Sequence, residues 1–74
     1  MKLALNSKAW STIYRNLREE IYRLHGNAQS RNEIREFLKE YGVWIKTEPY
    51  SERWVSVEIV LEDEELTLFI LRWS

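Results

Sequence analysis

A single histidine, His25, and the absence of cysteine set the limits on chemistry in this 74-residue chain. A nucleophilic triad needs a base beside its nucleophile, and here only His25 could be that base. Its place just before Gly26 gives it a simpler role, since an imidazolium in the last turn of a helix is favoured by the helix dipole. Zinc sites take three or four His, Cys or acidic ligands at defined spacing, which one histidine and scattered carboxylates do not supply. The run Glu62-Asp63-Glu64-Glu65 lacks the alternating acids and turn glycine of a calcium loop, and reads as a solvated hairpin tip that guards its strands against edge pairing. Gly26 and Gly42 stand alone, so no glycine loop cradles phosphate. The expectation is a protein without catalytic activity, cofactor or metal.

Two patterns could bind a partner. Arg31, Arg35 and Lys39 follow one another at i, i+4, i+8 on one helical line, with Glu33, Glu36 and Glu40 on the other flank, forgoing the Glu-to-Lys pairs of an ordinary solvated helix. Lys8, Arg15 and Arg18 add basic residues opposite an apolar arc, where Glu19 is spaced to pair with Arg15 and Arg23. These six are the candidate contacts for an anion or nucleic acid. The second pattern is aromatic: Trp44, Trp54, Phe69, Leu71 and Trp73 fall on what a period of two makes the second face of a sheet, together with Val60. Bases could stack there, but Glu48 and Glu58 against Lys46 make it a poor setting for phosphates. Burial against a second copy of the chain, or another protein, fits better, because an exposed apolar face of this size is unusual on a soluble monomer.

The elements that must position these residues are legible from periodicity. Trp10, Ile13, Tyr14, Leu17, Ile21 and Leu24 recur every three or four residues, so a helix is predicted over about residues 8–25, capped by Asn6 or Ser7 and stopped at Gly26-Asn27. Ser30-Arg31-Asn32-Glu33 has capping-box spacing and opens a second helix with the face Ile34, Phe37, Leu38 and Tyr41, ending at Gly42. A link of about four residues makes the two an antiparallel hairpin. After Gly42 the period becomes two, and strands are predicted at Val43–Glu48, Arg53–Leu61 and Leu66–Trp73, with a short extra strand at Lys2–Leu5. Short connections make the strands an antiparallel meander. The predicted architecture is α+β, a helical hairpin on one face of a three-stranded antiparallel sheet, in a single domain over residues 1–74. Its core would comprise Ile13, Leu17, Ile21, Leu24, Ile34, Phe37, Leu38, Val55, Val57, Ile59, Leu66, Leu68 and Ile70.

Composition agrees with a folded domain: 45% of residues are hydrophobic and 14% aromatic, too apolar for disorder. A chain this short buries only about 60% of its unfolded surface, so each apolar side chain counts. The formal charge of −1 excludes a general basic coat or an acidic nucleic-acid mimic. It hides a polarity, because residues 1–42 carry eight Lys and Arg against five Glu and residues 43–74 three against seven acids. No stretch reaches the ~20 apolar residues of a membrane span, and Met1–Ser7 is too short for a signal peptide, so a soluble cytoplasmic protein is expected.

The element order, an optional strand, a helical hairpin and a meander, resembles that of the small RelE/ParE toxins, with a likeness of Asn6-Ser7-Lys8-Ala9 to the start of their first helix. The resemblance implies nucleic-acid targeting, with basic and tyrosine residues on the sheet as the working groups; Arg53, Arg72 and Tyr50 are the residues here of those types. The strongly basic character that the family implies is not matched by a charge of −1. Winged-helix DNA binders are a further, weaker analogy, because they need a third helix for which the predicted elements leave no room. The leading expectation is thus a small self-associating interaction module, and the alternative a nucleic-acid-directed protein using the basic line of the second helix.

Overall fold

A computed structural model of the chain describes residues 1–26 and 30–74. Asn27, half of the predicted stop of the first helix, lies outside them. The order of elements is β1 (Lys2–Leu3), α1 (Lys8–His25), α2 (Arg31–Glu40), β2 (Val43–Thr47), β3 (Trp54–Ile59) and α3 (Asp63–Trp73). The α+β class, the helical pair and a three-stranded antiparallel sheet are all present, with the strands ordered β1-β3-β2.

The helix boundaries follow the capping chemistry. Ser7 accepts the amide of Trp10 at the start of α1, and Gly26 ends it with φ 75°, its amide donating to the Tyr22 carbonyl. Ser30 and Glu33 form the reciprocal capping box of α2. Past Tyr41, Gly42 takes φ 82° and turns the chain into β2.

The principal correction concerns the last element. Leu66–Trp73 is helical, so α3 replaces the third strand of the expected meander, and the sheet is completed by Lys2–Leu3 pairing with Val57 and Glu58. Leu66, Leu68 and Ile70 fit a period of two, but Leu66, Phe69, Ile70 and Trp73 fit i, i+3, i+4, i+7 equally well. The acidic residues decide it: Asp63, Glu64 and Glu65 occupy the first turn, where the positive end of the helix dipole favours them. The run from Glu62 is therefore the start of a helix rather than a hairpin tip. Phe69 and Trp73 are buried, Leu66 and Ile70 half-buried, and Leu68 and Leu71 exposed.

A second correction lies in β3. Regular alternation places Trp54 opposite Val57 and Ile59, but Lys46 pairs with Ser56 while Thr47 pairs with Trp54, leaving Val55 as an extra residue in the ladder. This β-bulge shifts the phase by one residue. Trp54 consequently turns inward with Val57 and Ile59, while Val55 is half-exposed. The buried cluster joins Trp10, Ile13, Leu17 and Ile21 of α1, Ile34 and Leu38 of α2, Val43 and Ile45 of β2, and the inward residues of β3 and α3. Of the predicted core, Leu24, Val55 and Leu68 are exposed, for reasons of helix end, bulge and helical phase respectively.

Candidate functional site

The i, i+4, i+8 line of α2 runs along the β2–β3 hairpin, and its three cations have different fates. The Arg31 guanidinium lies over the Trp54 ring, 4.3 Å from its centroid. Arg35 is half-buried, with Nη1 donating to Thr47 Oγ1 at 3.2 Å. Lys39 sits 5.5 Å from the Trp44 ring and pairs with Glu36 at 3.3 Å. The Arg35 and Lys39 stems are thus half-buried along the hairpin, while Arg31 stays exposed together with Glu33, Glu36 and Glu40.

A different set of arginines converges. Leu5, Trp10 and Tyr14 with Arg18 of α1, Arg31 of α2, and Arg53 and Trp54 at the start of β3 line a cleft of about 500 Å³. The helical row Trp10, Tyr14, Arg18, each four residues on from the last, builds one wall. Trp10 and Tyr14 rings meet at 5.5 Å, and Tyr14 meets Trp54 edge-on at 5.4 Å. Arg18 lies over Tyr14 at 5.4 Å, as Arg31 lies over Trp54. Both contacts lie within cation–π range of the ring centroid.

No carboxylate lines this cleft, and among the described residues Arg18 and Arg31 form no ion pair. Arg53 is shared with Glu48 at 3.7 Å. The Trp54 indole Nε1 is buried without an acceptor among the described residues, as is Arg35 Nε. The arrangement can hold a compact anion.

The remaining candidates are scattered. Lys8 and Arg15 are exposed on α1 and do not line the cleft. Arg72 lies on α3, its guanidinium 4.6 Å from the Trp73 ring, rather than on the sheet as the toxin resemblance implies. Tyr50 is fully exposed at the tip of the β2–β3 hairpin. His25 ends α1 stacked on Phe37, ring centroids 4.1 Å apart. Arg23 pairs with Glu20, not with Glu19. No group of acidic, His or Cys residues able to hold a metal occurs among the described residues.

The expected aromatic interface is largely dissolved. Trp54, Phe69 and Trp73 belong to the core, and only Trp44, 50% exposed on the sheet, and Leu71, 73% exposed on α3, face solvent. Phase explains all three burials: the bulge turns Trp54, and the helical period turns Phe69 and Trp73. Around Trp44 the outer sheet face carries Lys2, Lys46, Ser56 and Glu58, a mixed polar surface rather than an apolar one. The apolar area that called for a second copy is much reduced.

Arg53 entered the reading only through the toxin resemblance, and its meeting with Arg18 and Arg31 is tertiary. The signal available beforehand was the Trp10-Tyr14-Arg18 row, an arginine spaced to lie on a tyrosine. No protein family, curated protein or solved structure matches the chain. No described helix is long and apolar enough to cross a membrane.

Proposed function

We propose that this protein is a small binding module, without catalysis of its own, that recognises a phosphate-bearing partner in the Arg18–Arg31–Arg53 cleft. The observation that carries this is the convergence of three arginines from three elements on a cleft without a lining carboxylate. Two of them are oriented by aromatic rings, so little side-chain entropy remains to be lost when an anion binds. Guanidinium forks match the oxygens of phosphate bidentately, which suits phosphate above a spherical anion. Self-association through the outer sheet face is supported less well, since Trp44 stands there among charged residues.

Titration with inorganic phosphate and pyrophosphate, followed by tryptophan fluorescence or calorimetry, tests the reading. Arg18→Ala and Arg31→Ala should each weaken binding by about ten- to hundredfold, the effect of one charge-assisted hydrogen bond worth about 1.5–3 kcal/mol. Lys8→Ala and Arg15→Ala, outside the cleft, should change it by less than about twofold. Equal losses across all four variants would mean diffuse attraction and no site.

A further inference from the structure

Resting on that phosphate-site reading, we infer that the ligand is a single-stranded nucleic acid, gripped over one or two nucleotides, with a base stacked on the outer face of the Arg31 guanidinium. The Arg31 guanidinium carbon lies 4.3 Å from the Trp54 ring centroid and Arg31 is an exposed residue, so the group can be reached by a ligand from its solvent side. A flat group laid there continues the Trp54–Arg31 stack, and nucleobases stack on arginine planes as they do on aromatic rings. Arg18, fixed over Tyr14, and Arg53 then present N–H edges to the phosphates on either side. Tyr50, fully exposed at the tip of the hairpin that also carries Arg53, offers a second flat surface for a neighbouring base.

Charge excludes the larger alternatives. A duplex brings two rows of phosphates, but the solvent flank of α2 is Glu33, Glu36 and Glu40, and the hairpin carries Glu48 and Glu52. A long polyanion finds no track on a chain of net charge −1. The arginines that line a common cleft are Arg18, Arg31 and Arg53. A serine phosphopeptide would satisfy the arginine edges but leave the guanidinium plane uncovered.

Tryptophan fluorescence titrations of the full chain with an oligouridine octamer, a duplex of the same length, inorganic phosphate and a phosphotyrosine peptide test the inference. The octamer should bind at least about tenfold more tightly than inorganic phosphate, the value of roughly one stacked base. Its log affinity should fall with log salt at a slope of about −1.4, the value for two phosphates of a single strand. Arg31→Lys keeps the charge and removes the plane. It should weaken octamer binding by about tenfold more than it weakens inorganic phosphate, with the circular dichroism unchanged. An octamer no tighter than inorganic phosphate, or one indifferent to Arg31→Lys, overturns the inference and leaves the anion site standing. Preference for the duplex or the phosphotyrosine peptide overturns it in favour of that ligand. Failure of every anion to bind removes the phosphate site itself.

Discussion

Deleting Val55 should leave the protein folded, and the size of the effect separates a bulged β3 from a regular one. In the bulged strand Val55 has no cross-strand partner, so its removal joins Trp54 to Ser56 and restores alternation with Trp54 still inward, opposite Thr47. The loss is that of a half-exposed valine, about 1 kcal/mol given about 1.5–3 kcal/mol for complete burial, partly offset by the straightened ladder. If β3 instead alternated regularly, Trp54 would lie on the outer face and Val55 inside, and the deletion would remove a buried valine and force Trp54 into a core without room for it. The lost burial, about 1.5–3 kcal/mol, and the overpacking, about 1–3 kcal/mol, would together cost about 2.5–6 kcal/mol. Against a total stability of about 4–11 kcal/mol for a domain of this size, that is the difference between a folded protein and a largely unfolded one. Urea denaturation followed by circular dichroism measures the change. Acrylamide quenching in a Trp44→Phe background, where Trp10, Trp54 and Trp73 are all buried, reports whether Trp54 remains inside. A loss above about 3 kcal/mol, or a tryptophan already quenchable in the Trp44→Phe background before the deletion, would refute the bulge assignment.

Gly42→Ala should be far more damaging than Gly26→Ala, although both glycines have positive φ. A Cβ at Gly42 would stand 2.5 Å from Leu61 Cδ2, whereas one at Gly26 meets nothing within 4 Å among the described residues. Denaturation midpoints should therefore show about 2–4 kcal/mol lost at Gly42, backbone strain plus overpacking, against about 1 kcal/mol of strain alone at Gly26. At Glu20, the hydrogen bond from the Arg23 guanidinium holds the carboxyl below the usual carboxylate value. Its stabilising effect is thus present at neutral pH and lost as pH falls through that lowered pKa. Glu20→Gln should flatten the acid limb of a stability-against-pH curve and leave its shape above the ordinary carboxylate range unchanged; an identical acid limb in the variant would contradict the pairing.

What could be read from the sequence was whatever local chemistry determines. Ser7, the Ser30/Glu33 capping box, Gly26 and Gly42 bound helices whose apolar residues recur unambiguously, and the β2–β3 hairpin follows from a clear change of period. Two features escaped, for related reasons. In Leu66–Trp73 almost every residue is apolar, so periods of two and 3.6 both fit, and β propensity prevailed over the acidic first turn that marks a helix start. In β3 one unpaired residue moved Trp54 to the other face, and nothing in Trp54-Val55-Ser56 announces a bulge. Each error displaced aromatic residues from core to surface, and together they created the apolar face on which self-association had rested. The cleft was half legible: Arg18 and Arg31 were singled out for their charge, but the partners that give them a shape come from elements distant in sequence.

The manner in which β1 and α3 are fastened has a kinetic consequence. The Met1 nitrogen donates to the Ile59 carbonyl across 58 residues, and Asn16 Nδ2 donates to the Trp73 carbonyl across 57. The β2–β3 hairpin closes far more locally, with the Glu48 amide donating to the Arg53 carbonyl at 3.0 Å. Loop closure over the longer spans costs about 2 kcal/mol more than closing the hairpin, so the hairpin and the α1–α2 pair should assemble first and receive the two outer segments afterwards. Contacts made after the transition state govern how fast a protein opens rather than how fast it forms. The lifetime of the native state is therefore set at the periphery, by a two-residue strand and by Phe69 and Trp73, while the speed of folding belongs to the segment between them.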